Sequence, residues 1–166
     1  MTWFRRASLS GLLVLTGCYS FSGGGGLPNH IRTVFVRPVD NRSTKFGLSE
    51  TLTAELLTAS RQRLGLRLAS EDEADAIIVA TISRFADEAV SFDAVRGTGA
   101  DVFQRRVTIS VEVEIIDRLQ DVPIWASRGL SGAGEYVPGT ETEELGTDVA
   151  IENLVQKIVD GAQSQW

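Results

Sequence analysis

The stretch VTISVEVEI, residues 107–115, alternates strictly between apolar and polar side chains. Val107, Ile109, Val111, Val113 and Ile115 fall on one side of an extended chain. Thr108, Ser110, Glu112 and Glu114 fall on the other, the two-residue period of a strand with one dry face and one wet face. The surrounding residues predict a strand over 103–117. A strand divided this way needs an apolar layer against only one side, and two helical segments supply it. Leu48, Leu52, Leu56, Ala59 and Leu64 recur at helical spacing and predict a helix over 47–64, stopped by Gly65. Leu145, Val149, Leu154, Val155, Ile158 and Ala162 make the apolar stripe of a second helix over 141–164. Thr140 and Glu143 read as its capping box, with Glu141, Glu144 and Asp148 at the positive end of its dipole.

The remaining periodic segments complete the layer. IRTVFVRP, residues 31–38, is a β-branched and aromatic run ended by proline, with Ile31, Thr33 and Phe35 opposite Arg32, Val34 and Val36. LRLAS, after Gly65, is briefly extended. AIIVATISRFA, residues 76–86, is the most apolar strand and belongs at the sheet's centre. Residues 91–102, with Gly97 and Gly99, read as a loop. Residues 124–136 form another strand, in which Gly129, Gly132 and Gly134 mark bends or close backbone approach. The order is strand, helix, strand, strand, strand, helix. It predicts an α+β two-layer sandwich: a mixed, mostly antiparallel sheet of about four strands, entered by a parallel crossover, with both helices on one face. The other face is then polar and uncovered, and either open solvent or a larger polar wall satisfies it.

Upstream of the folded part lies a targeting signature. Arg5 and Arg6 precede an apolar run, Ala7 to Leu15, about half the length of roughly 20 residues that a spanning helix needs. Leu15-Thr16-Gly17-Cys18 follows and resembles the lipobox of bacterial lipoprotein precursors. In that reading residues 1–17 are a cleaved signal peptide, and Cys18 becomes the acylated first residue. The competing readings are a twin-arginine signal and an ordinary small hydrophobic Cys18 near another cleavage point. Residues 18–30, with four consecutive glycines, are a tether on a domain over 31–166.

The chain has 16 basic and 22 acidic residues, a net −6. Removing Arg5 and Arg6 with the signal leaves 14 against 22, or −8. That balance argues against non-specific binding of nucleic acid or anionic headgroups. With the one cysteine acylated, no disulfide is left.

Catalytic patterns are sparse. The one histidine, His30, sits at the tether's end as an exposed or strand-capping residue. Gly-Leu-Ser-Gly-Ala, residues 129–133, misses a nucleophile elbow by one position, and no His/carboxylate set has metal spacing. Gly23 to Gly26 and Gly97-x-Gly99 lack the helix starts of phosphate-binding loops, and SEDEAD, residues 70–75, reads as a solvated turn. The expectation is a non-enzyme without cofactor or metal.

The order of pieces resembles a known family. GCYSFSGGGGLPNHIRTVFVRPVDNRST, then an amphipathic helix, EADAIIVATISRFADEAVSFDA, RRVTISVEVEIIDRLQDVPIW and a last helix together are similar to the LptE lipopolysaccharide-assembly lipoproteins. The resemblance implies a periplasmic domain held by Cys18 to the outer membrane, plugging an LptD-type β-barrel, assisting its assembly and delivering lipopolysaccharide to the outer leaflet. Thr108, Ser110, Glu112 and Glu114, with the 91–102 segment, are then the expected barrel contacts, and Arg96, Arg105 and Arg106 the candidate lipopolysaccharide contacts. The alternative is a free-standing periplasmic lipoprotein that binds a peptide, a glycan or secretion machinery.

Overall fold

The computed structural model describes residues 26–95 and 99–164. Eight elements follow in order: β1 (Thr33–Val36), β2 (Asp40–Asn41), α1 (Leu48–Gln62), β3 (Arg67–Leu68), β4 (Ala76–Val95), β5 (Gly99–Asp117), β6 (Val122–Tyr136) and α2 (Glu143–Ser164). The architecture is α+β with an open mixed sheet. The strand order is β3-β1-β4-β5-β6, with β2 also pairing to β4. β1 runs parallel to β3 and β4, and β4, β5 and β6 form an antiparallel meander.

The sheet has six strands where the sequence suggests about four. The additions are β2 and β3, two residues each. Pro38 explains β2: a proline has no N–H to donate, so the chain leaves the ladder after β1 and rejoins β4 at Asp40. Arg37 N donates to Ile78 O at 3.0 Å before the break, and Arg42 N to Ile82 O at 2.9 Å after it.

The expected loop over 91–102 is corrected as well. β4 continues to Val95 and β5 begins at Gly99, and the two pair from Ala94↔Ala100 down to Ala76↔Asp117 with register shifts between Ile82/Arg84, Ala89/Ser91 and Ser91/Phe92. Val90, Phe92, Val95, Val102 and Phe103 favour extended backbone, which the composition of the intervening glycines masks.

Both helices cover one face. Val34, Ile78, Ile82 and the five apolar residues of β5 are buried there against Leu52 and Leu56 of α1 and Leu154 and Ile158 of α2. Two sequence expectations for α2 change. Its first turn is capped by Thr142, whose Oγ1 accepts from Leu145 N at 3.4 Å, while Glu143 turns away to Lys45 Nζ at 2.7 Å. Leu145 and Val149 lie outside the buried stripe, which runs instead through Gly146, Ala150 and Ile151. The cause is the glycines of β6. An ideal Cβ on Gly134 would stand 2.1 Å from Gly146 O, and one on Gly132 would stand 2.0 Å from Ala150 O. α2 therefore lies with its backbone against the strand, and its smallest side chains face inward. Gly129 has open space around it and sits in the bulge between Val111/Val113 and Ser127/Leu130, so these glycines serve both purposes read from the sequence.

The outer edge of β6 is covered by α2. Asn153 Nδ2 donates to Ala133 O at 2.9 Å and Lys157 Nζ to Ser131 O at 2.7 Å. Such contacts blunt an edge that would otherwise pair with another strand.

Candidate functional site

The wet residues of β5 are the starting point. Thr108 and Ser110 are half-buried between neighbouring strands, and Glu112 and Glu114 are exposed, all on the face away from the helices. Register sets their neighbours: Ala133 beside Thr108, Ser131 beside Ser110, Thr81 beside Glu112, and Val79 and Ala126 either side of Glu114. The bulge in β6 brings Arg128 to the same shallow groove, with Ser127, Glu112 and Glu114. Towards the far end, charges on this face pair with each other. Arg84 lies 3.6 Å from Glu88, Arg106 Nε donates to Glu135 at 2.8 Å, and Gln104 donates to Glu135 at 2.6 Å. Exposed pairs of this kind contribute about 0–1 kcal/mol each, so they shape the surface more than they hold it together.

The face is not polar throughout. Phe35, Ile77 and Ile116 stand in one cross-strand row at the end where the described chain begins, and Ile77 is 9% exposed. The alternation over residues 107–115 could not reveal this, because Ile116 lies just beyond it and Phe35 and Ile77 come from β1 and β4.

Arg105 and Arg106 point to opposite sides, as neighbours on a strand must. Arg105 lies on the helix side. Its Nε donates to both carboxylate oxygens of Asp87 at 3.0 Å and its Nη2 to Asp87 O at 3.0 Å. Tyr136 donates its hydroxyl proton to the same carboxylate at 2.9 Å. Asp87 holds the Arg105 guanidinium above its ordinary pKa, and burial together with Asp87 raises that of Tyr136. The two arginines thus make no common basic patch. Arg96 and Cys18 lie outside the described residues.

Two carboxylates that the sequence reading passed over organise the end nearest the tether. Asp117 is 2% exposed. His30 Nε2 lies 2.6 Å from its Oδ2, and its Oδ1 accepts from the N–H groups of Leu119 at 2.8 Å and Gln120 at 3.1 Å. Burial alone would raise the Asp117 pKa, but His30 and these two N–H groups outweigh it and the value is lowered. Asp75, inside the acidic run read as a solvated turn, accepts from the N–H groups of Arg32 and Thr33, both at 2.9 Å. The Arg32 N–H and the Thr33 hydroxyl lower its pKa. An Asp ending a strand just before a turn is the legible signal for Asp117. Nothing in the spacing pairs it with His30, 87 residues away.

Both folded pKa values lie below the ordinary carboxylate value of about 3.9, so each group stabilises the fold above that pH. The contribution is lost as pH falls through the folded value. The thermal midpoint should hold nearly level from pH 7 to about pH 4 and drop below it. Asp117→Asn should make that acid drop shallower. Identical acid slopes in wild type and variant, followed by circular dichroism, would disprove the role given to Asp117.

Among the described residues, no group of three or more His, Cys, Asp or Glu is placed to hold a metal ion, and no helix is long and apolar enough to cross a membrane.

A family model described as LptE, lipopolysaccharide-assembly, matches residues 31–161. No curated protein matches the chain. Among solved structures, the PelC dodecamer of Paraburkholderia phytofirmans is 14% identical with a TM-score of 0.53, over 84% of this chain and 95% of that one. The hypothetical protein CT253 of Chlamydia trachomatis is 13% identical with a TM-score of 0.53, over 80% and 98%. The uncharacterized lipoprotein B of Nitrosomonas europaea is 15% identical with a TM-score of 0.51, over 85% and 86%. At these identities the likeness is one of fold alone.

Proposed function

The chain belongs to the LptE lipopolysaccharide-assembly family, and from that premise we propose that it is an outer-membrane lipoprotein that plugs and helps to assemble an LptD-type translocon β-barrel. The observation that carries this reading, beside the family match over residues 31–161, is the uncovered β5 face. Thr108, Ser110, Glu112 and Glu114 lie in one line, flanked by small residues and by Arg128, with no further layer over them among the described residues. The lumens of large outer-membrane barrels are polar and often filled by another element, so this face has the chemistry to meet such a wall. Through the barrel the protein would aid delivery of lipopolysaccharide to the outer leaflet.

Of the arginines proposed to touch lipopolysaccharide, Arg106 is the better placed. It lies on the open face in an exposed pair and can exchange Glu135 for a phosphate, whereas Arg105 is held by Asp87 on the helix side.

The test is Glu112→Phe in the full-length protein. The site is exposed, so the melting curve should stay within about 0.5 kcal/mol of wild type. Recovery of the barrel in mild detergent should fall about tenfold, equivalent to about 1.4 kcal/mol. Unchanged recovery would count against this face. Isolation of the wild-type protein with a glycan, a peptide or secretion machinery in place of a barrel would favour the free-standing alternative.

A further inference from the structure

Leu145 and Val149 are spaced four apart on α2, in line with an apolar stripe, yet they are 45% and 37% exposed. They border a groove between the two helices whose floor is Ala59, Ile151 and Val155. Beside them Asp148 and Glu152 stand four residues apart along α2, and Glu55 faces them from α1. Asp148 and Glu152 repel each other at this spacing, whereas Glu144, one turn earlier, has Lys45 near it. Among the described residues, the one cation lining the groove, Arg63, donates instead to Gln156.

We propose that this groove docks a short amphipathic helix of a partner protein. Its apolar residues, at three- and four-residue spacing, cover Leu145 and Val149, and its Lys or Arg side chains run along Asp148, Glu152 and Glu55. The charge of the groove selects that occupant. A second copy of this chain, itself at −6, or an anionic lipid surface would meet the acidic row with like charge. The groove lies on the helix side of the sheet, opposite the face proposed to meet a barrel, so the two surfaces can be tested separately.

The probes are an amphipathic Leu/Lys helical peptide and its Leu/Glu twin, titrated by fluorescence anisotropy against the full-length protein. The lysine peptide should bind at least about tenfold more tightly than the twin. The double variant Asp148→Lys/Glu152→Lys should weaken it by a further factor of about ten. The remote double variant Glu71→Lys/Asp72→Lys changes net charge equally and should cost no more than about twofold. Val149→Glu separates apolar docking from attraction alone, since it adds negative charge and should nevertheless weaken the lysine peptide. Circular dichroism melts establish that each variant is folded, and Leu145→Ser repeats the measurement if Val149→Glu is not. Equal binding of the twin peptides, equal losses in the two double variants, or tighter binding to Val149→Glu would each overturn the proposal.

Discussion

Gly134→Ala is expected to cost the protein about 3 kcal/mol, the upper part of the range for overpacked sites. The added Cβ would stand 2.1 Å from Gly146 O, 2.8 Å from Ala150 N and 2.9 Å from Val149 Cβ. Two of those three atoms are backbone of α2, so no side-chain rotation relieves the clash and the helix must lift from the sheet. Lifting it separates Gly146, Ala150 and Leu154 from β6, where much of the buried stripe of α2 makes its contact. Against a total stability of about 5–15 kcal/mol this is a large fraction, and the thermal midpoint should fall by roughly 10 °C. Gly132→Ala meets Ala150 O at 2.0 Å and should behave alike. The control is in the same strand. Gly129→Ala loses the same unfolded-state entropy but has nothing within 4 Å of its new methyl group, so it should change stability by no more than about 0.5 kcal/mol. If Gly134→Ala proves no worse than Gly129→Ala, the close approach of α2 to β6 is not what the structure describes.

That contrast also marks the boundary of what sequence can convey. The dry and wet sides of β5 follow from residues 107–115 alone, because a strand's period is two and every buried position is apolar. The central place of β4 and the single covered face follow from the apolar run Ala76–Ala80 that opens it and from having only two helices to place. By contrast, the identity of the inward face of α2 depends on which strand it meets. Gly132 and Gly134 admit backbone, so Gly146 and Ala150 turn inward and Leu145 and Val149 turn out, against their hydrophobicity. The strand extension beyond residue 90 is hidden in the sequence by Gly97 and Gly99, which read as a loop, whereas Gly99 already begins β5. The division of Arg105 from Arg106 was available from strand parity, but their engagement with Asp87 and Glu135 is tertiary. The His30–Asp117 contact was not available at all, since it joins the tether's end to a turn 87 residues later.

Where that contact fixes the chain, the proposed anchor begins. His30 bonds to Asp117 and Leu27 already packs against the core, so the described chain is held to the domain ahead of β1, a short stretch of sequence after Cys18. Cys18→Ser is therefore expected to have the largest functional effect of any single substitution. A serine hydroxyl is not the thiol that the proposed lipidation needs, and under that reading residues 1–17 would then stay attached. Each acyl methylene adds about 0.8 kcal/mol of membrane affinity, so a single chain holds marginally and two or three hold essentially permanently. Wild-type protein should carry radiolabelled palmitate, partition wholly into the detergent phase and yield a mature N-terminal peptide that starts at an acylated Cys18. The serine variant should lose the label completely and keep residues 1–17, with the barrel absent from its isolates, while its melting curve matches wild type because the site lies ahead of every element of the fold. A variant that still takes up label, or a wild-type protein whose mature terminus lies elsewhere, would remove the lipid anchor. The plug would then lose its means of being held at the outer membrane, and the free-standing alternative would become the reading to pursue.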